Sequence, residues 1–198
     1  MPPRSRGVFV VLDGIDGCGK SLHSKLLRDG LQARGFNAVR TWEPSENSVG
    51  KFIQAMLMKE KTHPMVEALL FAADRYQHLQ AEILPSLQSG KIIVCDRYLH
   101  SSLAYQGAQG VDANWIKTIN DFAMKPDLAF YLDVTPSVGL GRIRRKKTVL
   151  ENMEIQEKVR EKYLELVRTG ELFLVDSNRP IEEVKDDLLK LVLQKLES

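Results

Sequence analysis

The stretch Gly14-Ile15-Asp16-Gly17-Cys18-Gly19-Lys20-Ser21 restricts the fold of this chain more than any other feature. It fits the pattern G-x-x-x-x-G-K-[ST], and its flanks fit the same device. Residues 7–12, GVFVVL, read as a buried strand with branched side chains on both faces, and residues 20–34 read as a helix stopped by Gly35. A strand, a glycine loop and a helix in that order can curl backbone N–H groups around phosphate oxygens. Glycine tolerates the dihedrals that turn the amides inward, and the helix N-terminus adds partial positive charge. In this context Lys20 is expected to reach the β- and γ-phosphates of a nucleoside triphosphate, and the Ser21 hydroxyl to ligate magnesium. Asp16 is open to two readings: a turn residue that tolerates an awkward dihedral, or a carboxylate turned away from the triphosphate toward an acceptor's sugar.

Further short apolar runs alternate with amphipathic stretches. Strands are predicted over residues 37–41, 91–95 (KIIVC), 127–134 (DLAFYLDV) and 171–176 (ELFLVD). Val49, Phe52, Ile53, Met56 and Leu57 recur at helical spacing, a stripe that serves core packing or a subunit contact equally well. Pro64 can open a long helix with Leu69, Ala72, Tyr76, Leu79, Ile83 and Leu87 along one side and Gly90 past its end. Helices are also predicted over residues 112–124, from Pro136, over 153–168, and from Pro180 to the C-terminal region. Strands separated by helices imply right-handed crossovers and a parallel sheet covered on both faces. The expected fold is therefore α/β, a P-loop NTPase of three α/β/α layers with a five-stranded parallel sheet and a LID flap over residues 142–152, the least apolar connection.

The 198 residues suit one domain over residues 7–198, with residues 1–6 as a mobile tail. A net charge of +2 gives no case for a dedicated nucleic-acid binder, and no run is long and apolar enough to suggest a signal peptide or membrane span. The two cysteines, Cys18 and Cys95, have no metal-type or disulfide spacing, so a reducing cytoplasm is the simplest home.

Asp96-Arg97-Tyr98 follows directly on a predicted strand, where open α/β sheets gather functional groups. Asp96 can hold magnesium through water, and Arg97 offers a planar fork to a phosphate. From here the chain resembles thymidylate kinases. The resemblance rests on DRYLHSSLAYQG (residues 96–107), on the loop form Gly-Ile-Asp-Gly-x-Gly-Lys, and on Phe71-Ala-Ala-Asp-Arg75. It also rests on Tyr131-Leu-Asp-Val and KVREKYLEL (residues 158–166), all in the family's order. It implies a kinase that uses ATP and magnesium to phosphorylate thymidine monophosphate, on the route to thymidine triphosphate, and that works as a homodimer. Asp16 would bond the deoxyribose 3′-hydroxyl and help place Arg97, and Arg97 would bridge the acceptor phosphate and the γ-phosphoryl group. Phe71 would stack on thymine with Arg75 on its carbonyl edge. Ser101, Ser102 and Gln106 would line the acceptor site, Tyr105 would crowd a 2′-hydroxyl, and Glu43 and Pro44 would form a loop over the acceptor.

The chain also departs from the family pattern. Trp42 stands where the family has Arg, Ser45-Glu46 replace Gly-Gly, Leu22 replaces a threonine, and Val149 takes a position that often holds Arg. Gly17 means that the loop carries no arginine. The densest basic run is Arg142, Arg144, Arg145, Lys146 and Lys147. It reads either as a solvated basic surface or as the flap's supply of catalytic cations, with Arg142 on the adenine and Arg144 or Arg145 on the reacting phosphates. Lys146 to Asn152 shows no evident core face. Two other functions fit less of the sequence: a related kinase with a relaxed or different acceptor (deoxyuridine, uridine or cytidine monophosphate), and a P-loop regulator without acceptor chemistry.

Overall fold

The computed structural model describes residues 7–59 and 62–197. The tail expected over residues 1–6 lies outside them. Five parallel strands form one sheet in the order β2-β3-β1-β4-β5: β1 Val8–Asp13, β2 Ala38–Trp42, β3 Ile92–Asp96, β4 Leu128–Asp133 and β5 Phe173–Asp176. Every residue of β1 and β3 is buried, as continuous apolar runs predict for strands covered on both faces. Because the strands run parallel, Asp13, Trp42 and Asp96 all end at one edge, with Trp42 and Leu12 both paired to Asp96. From this edge the chain leaves β1 toward β2 and leaves β3 toward β4, in opposite directions across the sheet, so the order reverses between β1 and β3, the place where open α/β sheets bind ligands.

Nine α-helices are described. They are α1 Lys20–Gln32, α2 Ser48–Leu57, α3 Pro64–His78, α4 Leu84–Gln88, α5 Leu99–Ala108, α6 Ala113–Thr118, α7 Pro136–Arg142, α8 Met153–Arg168 and α9 Ile181–Glu197. They pack in two groups, α1 against α9 and α5 against α3 and α8. Asn152 caps α8 and Asp112 caps α6 by accepting from N–H groups of their first turns. α1 has no side-chain cap, since its N-cap is Gly19 in a left-handed conformation, and this leaves the helix N-terminus to a phosphate.

Three expectations need correction. The long helix from Pro64 runs on to Gln88 as expected, with a π turn, Leu79–Ile83, inside it, because Pro85 has no N–H to continue the ladder; Leu84 N–H reaches back to the Leu79 carbonyl instead. Leu69 and Tyr76 on its predicted apolar side are half exposed, whereas Ala72, Leu79, Ile83 and Leu87 are buried. The helix expected over residues 112–124 stops at Thr118, because Asn120 turns inward to accept from Arg75 and to donate to the Ile116 carbonyl. The flap has a core face: Leu150 and Glu151 are buried, and Val149 packs on the core and donates its N–H to the Leu57 carbonyl.

Candidate active site

The phosphate loop takes the shape that its glycines permit. Gly14, Gly17 and Gly19 all have positive φ. A Cβ on Gly17 would lie 2.0 Å from the Gly139 carbonyl oxygen, and one on Gly139 would lie 2.5 Å from the Asp16 carbonyl oxygen, so the loop and α7 meet backbone to backbone. Lys20 is buried and donates to the Gly14 and Ile15 carbonyls at 2.9 and 2.8 Å, holding an ammonium inside the ring of amides. Ser21 Oγ donates to Asp96 Oδ2 at 2.5 Å. Two hard oxygens beside the loop suit magnesium, which takes one or two protein ligands and completes its octahedron with phosphate and water.

At the end of β3, Arg97 has φ 72°, an unusual conformation for a residue with a Cβ and one that clusters at functional sites. The turn aims its guanidinium across the sheet edge to the Asp16 carboxylate, the Gly14 carbonyl at 3.4 Å and Ser101 Oγ at 3.2 Å. Tyr105 donates its hydroxyl to the other Asp16 oxygen at 2.8 Å, and its ring lies 5.1 Å from the Arg97 guanidinium carbon. Burial pushes the Asp16 carboxyl up. The charges of Arg97 and Lys20 and the hydrogen bonds from Tyr105 and Gln156 outweigh it, so Asp16 stays ionised below the usual carboxylate range. Asp16 therefore faces Arg97, away from the amide cradle.

The loop, Asp96 and Arg97 open into one cavity of about 810 Å³. Its wall also carries Glu43, Pro44, Phe71, Ser101, Ser102, Tyr105 and Gln106 on one side of the loop, Leu22 beside it, and Arg142 and Arg145 from the flap. The comparisons with known proteins agree with this geometry. The thymidylate kinase family model matches residues 12–188. The chain belongs to the thymidylate kinase family. A probable thymidylate kinase of Pyrococcus horikoshii is 42% identical, with 96% of this chain and 98% of that protein covered. Probable thymidylate kinases of Staphylothermus marinus (43%, covering 97% and 98%) and Methanocaldococcus jannaschii (40%, covering 92% and 94%) are similar to it as well.

Against the thymidylate kinase pattern, most expected residues meet in the cavity. Gly14, Ile15 and Cys18 support the loop from behind, and Arg144 is exposed away from the wall. Arg75 also stands behind it. Only 1% exposed, it donates to Glu43 Oε2 at 3.0 Å, Asn120 Oδ1 at 2.6 Å, Ser102 Oγ at 3.1 Å and the Tyr98 carbonyl at 3.2 Å. Its neighbour Asp74 accepts from the N–H and hydroxyl of Ser45, so the residue that departs from the family's Gly-Gly anchors the Glu43-Pro44 loop. Arg145 makes a two-pronged ion pair with Glu151 at 2.8 and 2.6 Å inside the flap.

Two contributors gave no signal in the sequence. Gln156 on α8 clasps Asp16 twice, accepting from its N–H at 3.0 Å and donating to Oδ2 at 2.9 Å, and also donates to the Leu150 carbonyl of the flap. Asp13 is fully buried beneath Arg97 and accepts from Ser101, Tyr163 and the Tyr98 N–H. A lone Gln on a charged helix and an Asp ending an apolar strand offer no pattern to find them by.

Proposed function

We propose that this chain transfers the γ-phosphoryl group of ATP to the 5′-phosphate of thymidine monophosphate, giving ADP and thymidine diphosphate. One observation carries the reading: a single cavity joins the phosphate loop to the Arg97–Asp16–Tyr105 cluster and to an acceptor pocket walled by Phe71, Ser102 and Gln106. Phosphoryl transfer needs little covalent help from a protein. It needs two phosphates held in line and the spread negative charge met by fixed positive groups.

In this reading the loop amides and Lys20 hold the β- and γ-phosphates. Ser21 and Asp96 hold magnesium, which neutralises phosphate charge when bound. Arg97 turns between the acceptor phosphate and the γ-phosphoryl group, and Asp16 fixes its orientation while taking the sugar's 3′-hydroxyl. Phe71 stacks on the base, Tyr105 fills the space of a 2′-hydroxyl, and Arg142 lies toward the adenine. Arg145 exchanges Glu151 for the reacting phosphates when the flap closes, which also keeps water out.

The assay is ADP release from ATP-Mg with thymidine, deoxyuridine, uridine, cytidine, adenosine and guanosine monophosphates, with thymidine as the unphosphorylated control and Lys20→Ala as the dead variant. Turnover with thymidine and not with its monophosphate would defeat the reading, and so would hydrolysis indifferent to every acceptor. Trp42 in the cavity wall favours one second reading, a wider acceptor range, which appears in the same assay as comparable efficiency across pyrimidine monophosphates. We further propose a cytoplasmic homodimer. Among the described residues no helix is long and apolar enough to cross a membrane, and Phe52 of α2 with Leu69 and Tyr76 of the adjacent α3 are each more than half exposed.

A further inference from the structure

Five cations among the described residues line the cavity: Lys20, Arg40, Arg97, Arg142 and Arg145. Four have firm partners or a place on the donor side. Lys20 is bound to loop carbonyls, Arg97 to Asp16, and Arg145 by two prongs to Glu151, while Arg142 reaches the Ser177 carbonyl beyond β5.

Arg40 differs. Its Nε donates to Ser24 Oγ at 2.7 Å, but its carboxylate contact is a single long one, 3.4 Å from Nη2 to Asp96 Oδ2. That same oxygen already accepts from Ser21 at 2.5 Å. The guanidinium carbon lies 4.8 Å from the centre of the Trp42 ring. Residues two apart on a strand share a face, so β2 itself sets Arg40 beside Trp42, and Trp42 is level with Asp96 at the sheet edge. An aromatic face beneath a guanidinium fixes its plane and leaves its N–H edges free for a ligand. Among the described residues, Nη1 of Arg40 donates to nothing.

The sheet order decides which ligand these edges meet. β2 and β3 lie on one side of β1 and its phosphate loop, while β4 and β5 lie on the other with Arg142 and Ser177. Arg40 is therefore on the side of Glu43, Pro44 and Phe71. We infer that Arg40 is a phosphate-binding residue for the acceptor nucleotide: its guanidinium, supported by the Trp42 ring, leaves Asp96 and takes the acceptor's 5′-phosphate together with Arg97. This rests on the acceptor reading above. It also accounts for Trp42, whose aromatic face serves the arginine two residues before it.

The test compares a ligand with and without its phosphate. Thymidine monophosphate and thymidine are titrated by calorimetry into the wild type, Arg40→Gln and Arg40→Lys, with melting curves to verify folding. Loss of a charge-assisted phosphate contact should weaken monophosphate binding about tenfold or more in Arg40→Gln and leave thymidine within about twofold. Arg40→Lys, which keeps the charge without the fork, should fall between, and the KM for ATP should not move in either variant. Equal weakening of both ligands would make Arg40 structural, and unchanged monophosphate affinity would remove its role; either overturns the inference. If the wild type itself prefers the monophosphate no more than thymidine, the acceptor reading has failed rather than the assignment of Arg40.

Discussion

Truncating Arg75 to Ala separates a scaffold role from base recognition. The side chain is 1% exposed and satisfies Glu43, Asn120, Ser102 and the Tyr98 carbonyl. Its removal strands the Glu43 carboxylate, itself 2% exposed, with His78 Nδ1 at 3.3 Å as its remaining side-chain neighbour. Breaking a buried ion pair from one side costs about 3–5 kcal/mol, because the orphaned charge keeps its desolvation penalty. For a chain of this size that lowers Tm by roughly 6–20 °C. Urea unfolding of wild type and Arg75→Ala, followed by circular dichroism and tryptophan fluorescence, measures the loss. The double variant Arg75→Met/Glu43→Gln should recover part of it, since neither partner is then left charged. A loss below about 1 kcal/mol would refute the reasoning. If Arg75→Ala keeps its stability and instead raises the KM for thymidine monophosphate, Arg75 reads the base.

Arg97→Lys keeps the charge and loses the fork, so single-turnover rates should fall by about 3 kcal/mol of barrier or more; a variant with most of its activity would make Arg97 structural. Deoxyuridine monophosphate should trail thymidine monophosphate by only about 1–3 kcal/mol in kcat/KM, the worth of one methyl group, while uridine monophosphate falls further behind; equal use of ribose and deoxyribose acceptors would deny Tyr105 its role. Arg145→Ala should lower the single-turnover rate at saturating nucleotide, and Arg144→Ala, exposed outside the cavity wall, should not; unchanged rates in both would leave the run a solvated surface. Because Asp16 is held below the usual carboxylate range, its contribution to stability is present above the unfolded value near 3.8 and is lost as pH falls through the lower folded one. Tyr105→Phe removes one of its hydrogen bonds and should move the acid-unfolding midpoint upward; an unmoved midpoint would mean that the bond does not matter.

The sheet was legible because β1, β3 and β4 are continuous apolar runs, and the loop because glycine spacing reports backbone shape directly. α5 escaped notice for a physical reason: its buried positions mix His100, Ser102, Tyr105 and Gln106 with Leu103 and Ala104 and run consecutively from 102 to 106, so no apolar stripe at helical spacing marks it. Asn120 and Gln156 act through partners 45 and 140 positions away, and periodicity carries no information about such pairs. The resemblance alone set Arg75 on the base, whereas the side chain lies behind the cavity wall in a buried network with Glu43, Asn120 and Ser102. Leu150 hid within a basic segment, where it pins the flap together with Val149.

The contact between Gly17 and Gly139 bears on how this lineage can change. An arginine written into the phosphate loop at position 17 is reachable by substitution in principle, but its first carbon would fall 2.0 Å from a main-chain oxygen that cannot rotate away. α7 would have to shift, and α7 leads directly into the flap. Evolution toward a loop-borne cation thus requires a coordinated change in two distant stretches of the gene, with a poorly fitting intermediate between. Homologues that carry the loop arginine should therefore hold α7 farther from the loop.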